Sequence, residues 1–154
     1  MNKPPPPNIS LTREEYEEFI YTLREYYPSI QTSSLVVIMI ASRKAEVVGG
    51  LLFDKEVRLE VTEAISFDEQ CIEAYGYEVY RGEEKLYWYD SQPHPNDPSL
   101  AGTHPHHKHL PPDIKHHRVP APGLSFTQPN LPFLIEEILS SVLPDESQDE
   151  PDVR

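Results

Sequence analysis

"VRLEVTEAISF", residues 57–67, decides the fold. Val57, Leu59, Val61, Ile65 and Phe67 are apolar, and the residues between them are mostly polar. That period of two belongs to a strand with one buried face. Working outward, "LVVIMIA" (35–41), "VVGGLLF" (47–53), "CIEAYGYEVY" (71–80) and "KLYWYD" (85–90) are further runs of strand length, rich in β-branched and aromatic residues. The connections are short and polar, "SRKAE" (42–46) and "RGEE" (81–84) among them. Turns of this length join antiparallel neighbours, so an antiparallel meander of about five strands is expected.

Helical patterns flank these strands. Thr12 followed by Glu15 makes a capping box, and Tyr16, Phe19, Ile20, Leu23 and Tyr27 then share one apolar face until Pro28 ends the helix. "NLPFLIEEILSSVL" (130–143) reads as a closing helix capped by Asn130, with Leu131, Leu134, Ile135, Ile138, Leu139 and Val142 on one face. The expected architecture is a single α+β domain over 10–143, with both helices covering one side of the sheet. Residues 1–9 form a Pro-rich leader and 144–154 an acidic tail. Between Ser91 and Pro132 periodicity is lost. Ten of the 17 prolines fall there, at 93, 95, 98, 105, 111, 112, 120, 122, 129 and 132, and a long His/Pro-rich loop is expected.

Composition narrows the function classes. A single cysteine, Cys71, makes no internal disulfide, and "MNKPPPPNIS" has no apolar signal core. "LVVIMIA" is far shorter than a membrane span, so a cytoplasmic protein without membrane association is expected. The net charge of −13 argues against general affinity for nucleic acid. It is unevenly spread, however. Residues 1–93 hold nine basic and seventeen acidic side chains, and residues 119–154 hold one and seven. Residues 94–118 hold three and two, the one stretch that is not acidic, and its imidazoles add charge as they protonate.

All seven histidines lie within 94–117. Glu63 is the second unusual feature, because it shares a face with Val57, Leu59, Val61, Ile65 and Phe67. Either a twist or bulge returns it to solvent, or it is a carboxylate held at a site by Tyr75 or Tyr77 of a neighbouring strand.

"YWYDSQPH" followed by "THPHHKH", after a sheet carrying "EVTEAI" and "YGYEVY", resembles the TumE toxins of bacterial toxin–antitoxin systems. The likeness covers roughly residues 35–118. It implies a small toxin neutralised by a cognate antitoxin protein, and it singles out Glu63, Tyr77, Tyr89, Asp90, His94, His107, Lys108 and His109. The family often has an arginine before the Tyr-Asp pair, where this chain has Trp88. A phosphate-binding role would then fall to Lys108 or Arg118.

The chemistry of those residue types suits RNA as substrate. Two imidazoles act as base and acid, and a cation stabilises the charged phosphorane, all without metal. His94, His107 and His109 are the candidate acid–base groups, Lys108 the electrostatic one, and Asp90 the group that orients an imidazole. Tyr77, Tyr89, Glu63 and Arg118 are candidates for holding the substrate. In an extended "HHKH", His107 and His109 fall on one side and Lys108 on the other. Two alternatives stand beside this reading. One is a Zn or other divalent transition-metal site in the histidine tract, which lacks HExxH or CxxC spacing. The other is a non-catalytic interaction module with solvated histidines. The oligomeric state is open, a homodimer being one compatible arrangement.

Overall fold

The computed structural model of the chain describes residues 8–91, 107–110, 118–120 and 123–144. Its centre is an antiparallel meander of four long strands: β3 (Lys44–Leu52), β4 (Val57–Ser66), β5 (Cys71–Arg81) and β6 (Glu84–Asp90). One edge is completed by β1 (Thr32–Ser33) and β2 (Val36–Ala41), both pairing with β3. Among the described residues the sheet has eight strands rather than about five, and two of the additions come from the histidine tract. β7 (His107–His109) pairs with β6, and β8 (Arg118–Pro120) pairs with β7. Three-residue strands are too short to register as periodicity, so a patternless loop was the expectation there. His94 and the other histidines of the tract lie outside the described residues.

The inner face of the sheet carries the core. Val57, Leu59, Val61 and Ile65 are all buried, as the alternation of 57–67 requires. Above them pack α1 (Arg13–Tyr21), the short α2 (Leu23–Tyr26) and α3 (Leu131–Glu137), which continues as a wider helical turn through Val142. Tyr16, Phe19, Ile20, Leu23 and Tyr27 are buried in one cluster with Leu131, Leu134, Ile135 and Ile138. The first helix is interrupted at Thr22, which leaves helical geometry while its hydroxyl donates to the Glu18 carbonyl at 2.7 Å. The Thr12 cap is present and accepts from the Glu15 amide. Asn130 does not cap with its side chain as expected; its amide is used in the core instead. At the far end of the closing helix, Lys55 and Arg81 donate to the carbonyls of Leu143 and Val142, each at 3.0 Å. Two cations therefore satisfy carbonyls that the helix end leaves unpaired.

β1 and β2 are halves of one edge strand, broken at Ser34–Leu35 opposite Gly49–Gly50. Ser34 N–H donates to the Gly50 carbonyl and Gly50 N–H to the Ser34 hydroxyl, both at 2.9 Å. Leu35 is thereby turned into the core. Gly49 has φ +134°, and a Cβ there would stand 2.4 Å from the Ser34 carbonyl oxygen. Only glycine fits both demands. Gly49→Val is expected to cost about 3 kcal/mol of unfolding free energy, combining backbone strain with the clash. Urea denaturation of the variant against the parent chain reads this directly.

Candidate functional site

Six of the nine sequence-predicted residues fall into three separate pairs, and the sheet stands between the first and the other two. On the outer face, β6 and β7 align Trp88 with His109 and Asp90 with His107 in backbone register. Asp90 Oδ2 lies 3.1 Å from His109 Nε2, and the Trp88 indole N–H donates to the same oxygen at 3.2 Å. The Trp88 and His109 rings stack with centroids 4.4 Å apart. The imidazole is almost wholly buried, its side chain 2% exposed against 22% for Asp90. Carboxylate, indole and strand pairing together hold this ring in one orientation. Arg118 takes the register position opposite His109.

Lys108, between two histidines, belongs to the inner face by alternation. Its ammonium pairs with Glu137 Oε2 of α3 at 2.8 Å and lies 4.4 Å above the Tyr87 ring. Tyr89 donates its hydroxyl to the same carboxylate, at 2.9 and 3.0 Å. Lys108, though not Tyr89, borders a cavity of about 300 Å³, which Arg81, Tyr87, Glu137 and Ser141 also help to line. Burial and the neighbouring Glu137 push the Tyr89 phenol far above its ordinary value, so it is a donor and not a base. Lys108 and His109 therefore do not meet at one centre, contrary to the expectation that they act together on one phosphate.

Glu63 and Tyr77 form the third pair. Glu63 is fully buried, which rules out its return to solvent by a twist. Tyr77 donates to Glu63 Oε2 at 2.6 Å, and Tyr16 of α1 donates to Oε1 at 2.5 Å. Tyr75, the register partner of Glu63, instead stacks on Tyr77 at 4.9 Å. Asn130 donates to the Tyr77 hydroxyl and to the Ser125 carbonyl, both at 3.0 Å, while its Oδ1 accepts from the Ser125 amide at 2.8 Å. Burial raises the Glu63 carboxyl above its ordinary value, and the two phenol bonds pull it partly back. Burial and then the Glu63 charge hold Tyr16 and Tyr77 well above theirs. With no exposure at either residue, Glu63 and Tyr77 are placed as core groups rather than as the substrate contacts expected of them.

Tyr16, Trp88, Asn130 and Glu137 were not assigned to a site by sequence. For Tyr16 a signal existed: a phenol on an apolar helix face needs a partner, as does a carboxylate on an apolar strand face. Glu137 sits beside Glu136 in the closing helix, and nothing local tells them apart.

Among the described residues, no three His, Cys, Asp or Glu side chains gather as a metal-binding group, and no helix is long and apolar enough to cross a membrane. A family model described as Toxin TumE matches residues 18–142, most of the chain. No curated protein and no solved structure matches it.

The core network makes stability depend on pH in two windows. Because the folded Glu63 carboxyl binds its proton more readily than the unfolded one, its contribution is fully present below the ordinary value of 4.5. That contribution is lost as pH rises toward the raised folded value. Tyr16 and Tyr77 behave likewise at the alkaline end, so stability falls again above pH 10.0, where unfolded tyrosines ionise and the buried ones do not. Glu63→Gln is expected to abolish the acidic dependence and leave the alkaline one, as followed by denaturation midpoints across pH. Tyr77→Phe leaves a buried carboxylate short of a donor and costs about 1–3 kcal/mol in the same assay.

Proposed function

The chain belongs to the TumE toxin family, and on that premise we propose that this toxin cleaves RNA without metal, through an imidazole held by Asp90. The observation that carries the proposal is the Asp90–His109 contact of 3.1 Å under the Trp88 ring. A carboxylate at Nε2 favours the tautomer protonated there and makes Nδ1 the basic nitrogen. It also stabilises the imidazolium once a proton is taken.

In the proposed reaction His109 removes the ribose 2′-hydroxyl proton. The resulting oxyanion attacks the adjacent phosphorus, and the bond to the leaving 5′-oxygen breaks. A second imidazole returns a proton to that oxygen, leaving a 2′,3′-cyclic phosphate and a 5′-hydroxyl. His107 is the first candidate for the acid, because its backbone lies opposite Asp90. His94 is the second. Arg118, opposite His109 in register, suits the phosphate-binding cation better than Lys108, which is committed to Glu137 on the other face. Lys108, Tyr89 and Glu137 then fasten β7 to the closing helix. A separate antitoxin protein completes the reading, together with action in the cytoplasm.

Purified toxin incubated with RNA in EDTA tests these assignments. His109→Ala is expected to lower the cleavage rate by about 10²- to 10⁴-fold. Asp90→Asn lowers it as well, with folding retained. Lys108→Met is expected to reduce unfolding stability more than cleavage. Full cleavage by a His107→Ala/His109→Ala double variant would overturn the assignments. Expression in a bacterium gives the cellular counterpart: growth arrest by the parent chain, relieved by co-expressed antitoxin and absent in His109→Ala.

A further inference from the structure

The outer face carries a second set of contacts that continues from the Asp90–His109 pair. Lys85 Nζ lies 4.0 Å above the Trp88 ring and 5.7 Å from the Tyr80 ring centroid. Arg58 lies 4.1 Å above Tyr80. His109, Trp88, Lys85, Tyr80 and Arg58 thus form a line of alternating rings and cations across β7, β6, β5 and β4, spanning roughly 14 Å at the usual strand spacing. None of these groups packs in the core, which occupies the opposite face. Trp88 and Tyr80 are both partly exposed, as are Lys85 and Arg58.

We propose that this line is the binding track for single-stranded RNA, seating the nucleotides that flank the scissile phosphate. The proposal rests on the RNA-cleaving reading above and extends it to substrate positioning. Single strands are held by rings that stack bases and by cations that follow the phosphates, and here both alternate at nucleotide scale. A base stacks on Trp88 in place of the Lys85 ammonium, which swings to the neighbouring phosphate. Tyr80 and Arg58 repeat the arrangement one step further on.

Two local features support this. Lys85 and Arg58 are each paired with a carboxylate, Glu78 at 3.2 Å and Glu60 at 2.9 Å. These pairs are partly exposed and therefore weak, so a phosphate displaces the carboxylates at little cost. They also explain how the track exists on a chain of net charge −13 without attracting every polyanion. Beside the reacting pair, on the same strand as Tyr80, stands Gly76, opposite Asp90 in register. Among the described residues no atom lies within 4 Å of where its Cβ would be, and its φ is not in the left-handed region. Neither packing among the described residues nor backbone geometry asks for glycine there. Its absent side chain leaves room for the strand to pass Asp90.

Trp88 is the only tryptophan, so its fluorescence reports occupancy of the track. The probe is a 2′-O-methyl oligoribonucleotide, which binds but offers no 2′-hydroxyl for cleavage. Titration is expected to quench Trp88, and Arg58→Gln/Lys85→Gln is expected to weaken binding about tenfold. The double variant should also flatten the salt dependence of log Kd by roughly 1.4, for two lost phosphate contacts. With cleavable RNA, KM rises correspondingly while kcat falls far less. Tyr80→Leu removes a stacking ring without touching charge, and it should weaken the probe with the salt slope unchanged. Parent chain that binds the probe but cleaves no RNA would retain the track and defeat the cleavage reading. Cleavage with KM, Kd and salt slope unaltered in both variants would defeat the track alone. No quenching at any probe concentration would also defeat it.

Discussion

Burying one carboxylate organises this molecule. Glu63 sits in the middle of β4 among apolar neighbours, and an ion there is tolerated only with its oxygens bonded. One oxygen takes the phenol of Tyr16 and the other that of Tyr77. Tyr77 in turn accepts from Asn130, whose amide oxygen and nitrogen both engage Ser125. A chain of bonds therefore joins α1, β4, β5 and the entry to the closing helix. Apolar packing alone would let these layers slide; directional bonds to a buried charge select one arrangement. This also explains why Asn130, in the cap position, spends its side chain inward. The ~1 kcal/mol of a cap is small beside the cost of leaving a buried phenol and carboxylate short of partners.

The sheet then acts as a partition. Adding β7 to β6 in register sends neighbouring residues of "HHKH" to opposite faces, His109 outward to Asp90 and Lys108 inward to Glu137. A slip of one residue would exchange them and put a lysine beside Trp88 and an imidazole into the tyrosine cluster. Register is consequently a chemical specification here, since it decides which basic group meets Asp90.

Much of the frame was legible in the sequence. Period two over 57–67 and the apolar faces of both helices follow from burial on one side, and local patterns report that well. The Tyr-Asp and "HHKH" elements also suggested an imidazole oriented by Asp90, without telling His94, His107 and His109 apart. What stayed hidden depends on contacts between distant segments. Glu137 joins Tyr89 and Lys108 only because the closing helix crosses β6 and β7, and Tyr16 reaches Glu63 across 47 residues of chain. The split of Lys108 from His109 was visible as alternation, yet its consequence required knowing that β7 lies in the sheet and not in a free loop. Trp88 received no role from the sequence because alternation in "KLYWYD" gives no sign of which face is buried.

Three residues of pairing on each side are too little to fix a short strand such as β7, which owes its position also to side chains on both faces. Outside, His109 stacks on Trp88 and meets Asp90; inside, Lys108 bonds Glu137, which also receives the Tyr89 hydroxyl. The inner contacts tie the strand to a helix whose own end is held by Lys55 and Arg81. Position thus passes from the core, through Glu137 and Lys108, to the backbone that carries His109. A lysine that touches nothing on the outer face still sets where the imidazole stands. The same logic applies within "KH": His109 meets Asp90 on one face, and Lys108 beside it anchors the strand from the other.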